Sequence, residues 1–144
     1  MNVFYGAAIQ GFNADMIYGK DHIISAVDHA IRSISQNTNT TNSLEKEILL
    51  YSSGERQLKL AIPKMGIIRG NSKIALVFIG ENLSKKSIDE FLKIHKLNQN
   101  DKVLEGDIET LKNFGLNKNE ISTVTKDKYK NLILEKVALV DIIK

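Results

Sequence analysis

The sequence predicts a small mixed α/β domain of the α+β kind, a sheet of about four strands packed with a predominantly helical layer. Three observations carry this. Short unbroken apolar runs such as KIALVFIG (73–80) have the length and composition of buried strands. Longer stretches repeat apolar residues at intervals of three and four, the signature of amphipathic helices. The chain of 144 residues is 42% hydrophobic and 26% charged, an ordinary globular balance, and is long enough to bury a core without disulfides or metal. Residues 1–144 read as a single domain, with no internal repeat and no low-complexity linker.

The elements follow in order. VFYGAAIQ (3–10) is apolar and free of proline and reads as a strand, and ADMIY (14–18) as a second extended piece after Gly11 and Asn13. KDHIISAVDHAIRSI (20–34) sets Ile24, Val27, Ile31 and Ile34 on one helical face, the face expected to meet the core. The polar SQNTNTTNS (35–43) is a loop whose last residue, Ser43, suits an N-cap, with Glu45 and Glu47 near the positive end of the next helix. That helix, 44–53, is apolar around much of its girth, as a central helix is, and Gly54 offers the left-handed conformation that ends it.

A third helix spans about 55–65 and buries Leu58, Ala61, Ile62 and Met65, with Pro63 bending or ending its last turn. Strand 73–80 is apolar at both parities, so both of its faces should be covered. Ser87 and Glu90 form a capping-box pattern for a helix presenting Ile88, Phe91, Leu92 and His95. VLEGDIETLKNFGL (103–116) reads as an extended piece followed by a short helix ending at Gly115. Thr125 can cap a final helix with an apolar stripe of Tyr129, Leu132, Ile133, Val137 and Val140, whose tail, VALVDIIK, is equally compatible with a strand.

Composition excludes some chemistry. The chain has no cysteine, hence no thiolate nucleophile, thiolate metal site or disulfide. The start lacks a basic region ahead of a long apolar stretch, and no apolar run approaches the ~20 residues of a membrane span, so a soluble, cytoplasmic protein without membrane contact is expected. His22 and His29 are seven residues apart on one helix, with Asp21 and Asp28 beside them, a weak spacing for a metal, and exposed polar residues explain them as well. No G-x-S-x-G motif occurs, and GIIRG (66–70) fits neither the dinucleotide nor the Walker pattern. No catalytic residue, cofactor or metal is expected.

The net charge of +3 permits an acidic partner without demanding one. The basic residues concentrate around LLYSSGERQLKLAI (49–62), where a polar trio, Glu55, Arg56 and Gln57, interrupts two apolar helices. Arg56 and Lys59 project from neighbouring positions of one helix, Lys64 and Arg69 follow, and Lys20 and His22 begin the earlier helix. Such a group suits phosphates, with the guanidinium of Arg56 giving bidentate geometry. The plainer reading is a solvated face, or an Arg56 that pairs with an acid such as Glu47 to hold the joint.

HIISAVDHAI (22–31), NSLEKEILLYSSGERQLKLAI (42–62) and LEKVALVDI (134–142) together resemble the kinase-binding accessory subunit of the KEOPS complex, the TPRKB-like or CGI family. The central block, E-x-L-x-Y-x-x-G-x-R-Q followed by Ala61 and Ile62, is the specific part, Pro63 departs from the family pattern, and the lack of insertions resembles the archaeal form. The resemblance implies a non-catalytic role in tRNA threonylcarbamoyladenosine synthesis. Its partners would be the small atypical kinase/ATPase of the complex, tRNA held through its CCA tail, and the remaining subunits indirectly. On that footing Arg56, Lys59, Lys64, Lys20 and His22 are candidates for tRNA contact. Leu139, Ile142 and Ile143, flanking the stripe of the final helix, are candidates for the kinase interface, or else complete the domain's own core. The competing expectation is a small cytosolic enzyme or ligand-binding domain using His22, His29 and nearby carboxylates, with a perturbed histidine and a deep pocket beside the first helix.

Overall fold

The computed structural model describes residues 8–81 and 83–144. Within them, seven α-helices accompany one antiparallel two-stranded sheet. Strand β1 (Ala8–Asn13) pairs with β2 (Ile74–Ile79) in a register that sets Ala8 opposite Ile79 and Asn13 opposite Ile74. Only part of the expected strand 3–10 can be compared, because residues 3–7 lie outside the described ones.

The sheet has fewer strands than the four expected, and the reason is local hydrogen bonding. Residues 14–18 do not extend. The Asn13 side chain accepts from the Asp15 N–H at 3.1 Å and winds Ala14–Met16 into a 3-10 turn. Asn100 does the same to Asp101–Leu104 through the Lys102 N–H, also at 3.1 Å, where an extended piece was expected from Val103. In both places an asparagine ahead of a short apolar run offers the backbone a turn in place of a ladder. The C-terminal tail also stays helical to Ile143.

Helix α2 (Leu44–Ser53) is the centre of the core. Leu44 and every residue from Glu47 to Ser53 are buried, as its all-round apolar pattern requires. Ser43 caps it by accepting from the Lys46 N–H at 3.2 Å, and Gly54 ends it at φ +71°. Against it lie α1 (Gly19–Ser35), α3 (Leu58–Met65), α7 (Tyr129–Ile143) and the inner face of the sheet, where Ala8, Phe12 and Ala75 are buried. Pro63 sits inside the last turn of α3 without ending it before Met65.

Two faces differ from expectation. On α1 the buried residues are His22, Ile23, Ala26, Ala30 and Ser33, whereas Ile24 and Ile31 of the apolar stripe are exposed. Small side chains at 26, 30 and 33 allow α2 to approach closely, and the larger branched residues are turned outward. On β2 only Ala75 is buried. The outer sheet face is roofed loosely by α4 (Lys85–Ile94), which buries none of its residues, and Ile67 folds over Gly11, where an added Cβ would lie 2.5 Å from its Cδ1. Helix α4 starts one turn earlier than Ser87 and Glu90 suggest: Ser84 and Ser87 make the capping box.

Helix α5 (Ile108–Phe114) is capped by Asp107 and Thr110 and ends at Gly115, φ +112°, as its sequence indicates. The short α6 (Lys118–Ser122) follows. Thr125 stands ahead of a 3-10 turn, Lys126–Lys128, rather than of α7 itself, and its hydroxyl donates to the Asp127 carboxylate in place of capping the backbone. Ile133, Val137 and Val140 of the expected α7 stripe are buried, and Tyr129 and Leu132 pack partly buried beside them.

Candidate functional site

The joint between α2 and α3 is built from the inside outward. Ser52 and Ser53 turn their hydroxyls back to the carbonyls of Leu49 and Leu50, at 2.8 and 2.6 Å, which satisfies them inside the core. Ser53 Oγ also accepts the Glu55 N–H at 3.0 Å, steering the chain away from the helix axis. The Gly54 turn lies against Lys136 and Phe114, so that an added Cβ would stand 3.2 Å from Lys136 Cβ. Gln57 then begins α3 without a side-chain capping bond. The first N–H groups of that helix, on Leu58 and Lys59, are thus left without an intrahelical acceptor at its positive end.

The basic candidates separate into two kinds. Arg56 and Lys59 are exposed beside this uncapped helix start, and neither has an ion-pair partner among the described residues. Lys20 is exposed and unpaired as well, two residues before a histidine that bonds to Ser52, so it belongs to the same end of the molecule. Lys64 is engaged inward. Its ammonium lies 3.4 Å from Glu55 and 3.9 Å from the Phe114 ring centroid, and burial lowers its pKa against the opposing pull of Glu55.

His22 is fully buried. Its Nδ1 accepts the Tyr18 N–H at 3.1 Å, so Nε2 carries the proton and donates to the Ser52 carbonyl at 2.8 Å. Both nitrogens are used, and the side chain offers nothing to a ligand. Desolvation lowers its pKa from 6.5 to about 4, the Ser52 bond opposing and nearby Lys64 assisting. The perturbed histidine foreseen for an enzyme pocket is therefore a structural post between α1 and α2.

His29 is drawn to Asp141, at 2.8 Å, rather than to Asp21 or Asp28, and its ring stacks on Tyr51 at 5.4 Å. Asp141 also accepts the Tyr51 hydroxyl. Burial opposes the charge on Asp141, but the Tyr51 and His29 bonds outweigh it and hold its pKa below the usual value. A second polar centre surrounds Glu47, which is fully buried. It accepts from Ser33 Oγ (3.0 Å), the N–H groups of Thr40 (2.8 Å) and Thr41 (2.6 Å), Thr41 Oγ (3.0 Å) and Lys144 Nζ (3.4 Å). Glu47 is thus not the partner of Arg56. A carboxylate on a helix that is apolar all round was the sequence signal for this cluster.

At the end of α7, Leu139 is half-buried, Ile142 is 76% exposed and Ile143 is 44% exposed. The two isoleucines do not complete the core. A cavity of about 470 Å³ lies between the outer face of β2 and α4, walled by Ile74, Leu76, Phe78, Ile88 and Leu92, with Lys96 among its polar lining. Neither His22 nor His29 lines it. Among the described residues no three His, Asp or Glu side chains gather in a way that could hold a metal ion, and no helix is long and apolar enough to cross a membrane.

A comparison with curated proteins found no match. The family model for the kinase binding protein CGI-121 matches residues 7–141, which takes in the first two blocks of the resemblance and all of the third but Ile142, and the chain belongs to that family.

Proposed function

We propose that the chain is a non-catalytic accessory subunit of the KEOPS complex, which makes threonylcarbamoyladenosine in tRNA, and that it works in the cytoplasm. It binds the small kinase/ATPase of that complex and helps to recruit tRNA, through the CCA tail. The observation that carries the reading is the family match across residues 7–141, whose description is kinase binding. For the RNA half, support comes from the start of α3, where an uncapped helix end stands beside Arg56 and Lys59, both exposed and unpaired among the described residues. Backbone N–H groups with a guanidinium beside them suit a phosphate, and a single-stranded tail needs only a few cations. Lys20 is a further contact, while Lys64 is held by Glu55 and Phe114.

For the kinase half, the exposed end of α7 supplies apolar surface that the core does not use, through Ile142 and Ile143 with Leu139 at their base. The test is capture of the purified kinase subunit by the chain, with and without tRNA, using tRNA that lacks its CCA tail as the control. The reading requires kinase capture, and RNA binding that weakens without the tail and with added salt. Ile142→Arg should abolish kinase co-purification while leaving the fold intact. A chain that captures neither molecule overturns the proposal.

A further inference from the structure

The cavity between the outer face of β2 and α4 has no part in the functions proposed above. Its volume, about 470 Å³, lies in the range of small-molecule sites. Ile74, Leu76 and Phe78 alternate along β2 and face away from the core that Ala75 and Val77 meet, and Ile88 and Leu92 come from α4. Apolar side chains of two elements thus border a space that neither fills, and α4 buries none of its own residues.

The mouth of the cavity is cationic. Lys73, just ahead of β2, and Lys96, just past α4, both line it, and neither has an ion-pair partner among the described residues. Asp101 shares the rim and accepts from the Gln99 amide at 3.4 Å. The surroundings carry the same sign. Residues 66–104 hold seven basic and four acidic side chains, an excess equal to the whole net charge of +3, and none of the seven is ion-paired among the described residues. Lys96 also stands where lysine is a costly choice. The Leu97 N–H bonds to the Leu92 carbonyl at 2.8 Å and the Lys96 N–H to that of Lys93 at 3.1 Å, the helix ending that calls for a left-handed residue, and Lys96 holds φ at +55°. Glycine takes that conformation without strain. Lysine held there sets backbone strain at the edge of a cavity, as binding sites do.

The amides that could read a nucleobase edge are engaged along the chain, Gln99 with Asp101 and the Asn100 oxygen with the Lys102 N–H at 3.1 Å. What remains is an aliphatic interior with ammonium groups at its opening. We infer that the cavity binds a medium-chain organic acid, its tail among Leu76, Phe78, Ile88 and Leu92 and its carboxylate at Lys73 and Lys96. Arg56, Lys59 and the end of α7 do not line it, so this site is distinct from both surfaces proposed above.

The probe is decanoate, titrated into the full chain and followed through its methyl NMR signals. Those of Ile74, Leu76, Ile88 and Leu92 should shift and saturate, while those of Ile48 and Ile133 in the core stay in place. Affinity should rise roughly three- to fourfold for each methylene from hexanoate to decanoate, the worth of one buried CH₂. Decanol, which lacks the charge, should bind about fivefold more weakly than decanoate. Lys96→Gly separates binding from structure, because glycine suits the backbone there. Its melting temperature should hold or rise while decanoate affinity falls about threefold and decanol affinity stays put. Lys73→Gln should likewise weaken decanoate alone. Methyl shifts that are absent or fail to saturate, decanol bound as tightly as decanoate, or parental decanoate affinity in both lysine variants overturns the inference. Shifts of these methyls by tRNA but not by decanoate would give the cavity to the RNA surface and overturn it as well.

Discussion

His22 donates from Nε2 to the carbonyl of Ser52 at 2.8 Å, joining the first turn of α1 to the last turn of α2 from inside the core. The carbonyl is thereby satisfied two residues before the Gly54 turn, where a buried unpaired group would cost about 1–3 kcal/mol.

This bond makes stability depend on pH. The folded-state pKa of His22 lies at about 4, below the ordinary 6.5, chiefly through desolvation. Between those values the unfolded chain binds a proton that the folded chain excludes, so stability is full above pH 6.5 and falls as pH drops toward 4. A displacement of this size corresponds to about 3 kcal/mol, a large share of a typical total. Denaturation curves at pH 7, 5.5 and 4 should show the decline. His22→Leu should be weaker at pH 7 and flatter across the window, and an equal slope in both proteins would contradict the assignment. Asp141, held below its ordinary 3.8, adds a loss that comes lower on the acid side.

The carboxylate of Glu47 gathers donors from α1, the loop after it and the end of α7. Glu47→Ala would leave the Thr40 and Thr41 N–H groups and the Lys144 ammonium without their acceptor, at a cost of about 3–5 kcal/mol. Glu47→Gln keeps one oxygen and should cost less. Urea denaturation orders the two variants, and equal midpoints for Glu47→Ala and the parent would show that the cluster adds nothing.

Gly54 holds φ at +71° with Lys136 Cβ close to the space a side chain would fill. Gly54→Ala combines left-handed backbone strain with that contact, for roughly 1–2 kcal/mol. Thermal melting should drop by about 3–8 °C. An unchanged melting point would mean that the turn can be made without glycine.

Much of this architecture was legible because local signals agreed with the tertiary environment. The bounds of α2 coincide with the 44–53 reading, since Ser43, the all-round apolar pattern and Gly54 all say the same thing. Helix α5 ends at Gly115 for a like reason. The extended readings at 14–18 and at the start of 103–116 failed where an asparagine side chain captured a backbone N–H two residues on, an effect that apolar periodicity does not register. The inner face of α1 was misjudged because periodicity ranks large apolar residues above small ones, whereas close helix packing selects Ala26, Ala30 and Ser33. At the site, Arg56 and Lys59 could be named from sequence, but the engagement of Lys64 with Glu55 and Phe114 depends on how α3 and α5 meet.

That difference between Lys64 and its neighbours gives a last prediction. Arg56 and Lys59 are exposed and bonded to no acid among the described residues, so Arg56→Ala should leave thermal melting unchanged. If Arg56 holds a phosphate beside the open end of α3, tRNA affinity should weaken about tenfold, since a charged hydrogen bond is worth about 1.5–3 kcal/mol. The slope of log affinity against log salt should also shrink by about 0.7, the share of one single-strand phosphate. Lys64→Ala should do the reverse. It loses the Glu55 pair and the Phe114 ring contact, so melting falls while the affinity and salt slope of the folded protein stay put. Titrations from 50 to 200 mM salt alongside melting curves separate the two. An Arg56→Ala protein that melts early yet binds tRNA with the parental slope would make this arginine a support of the joint and remove it from the RNA surface.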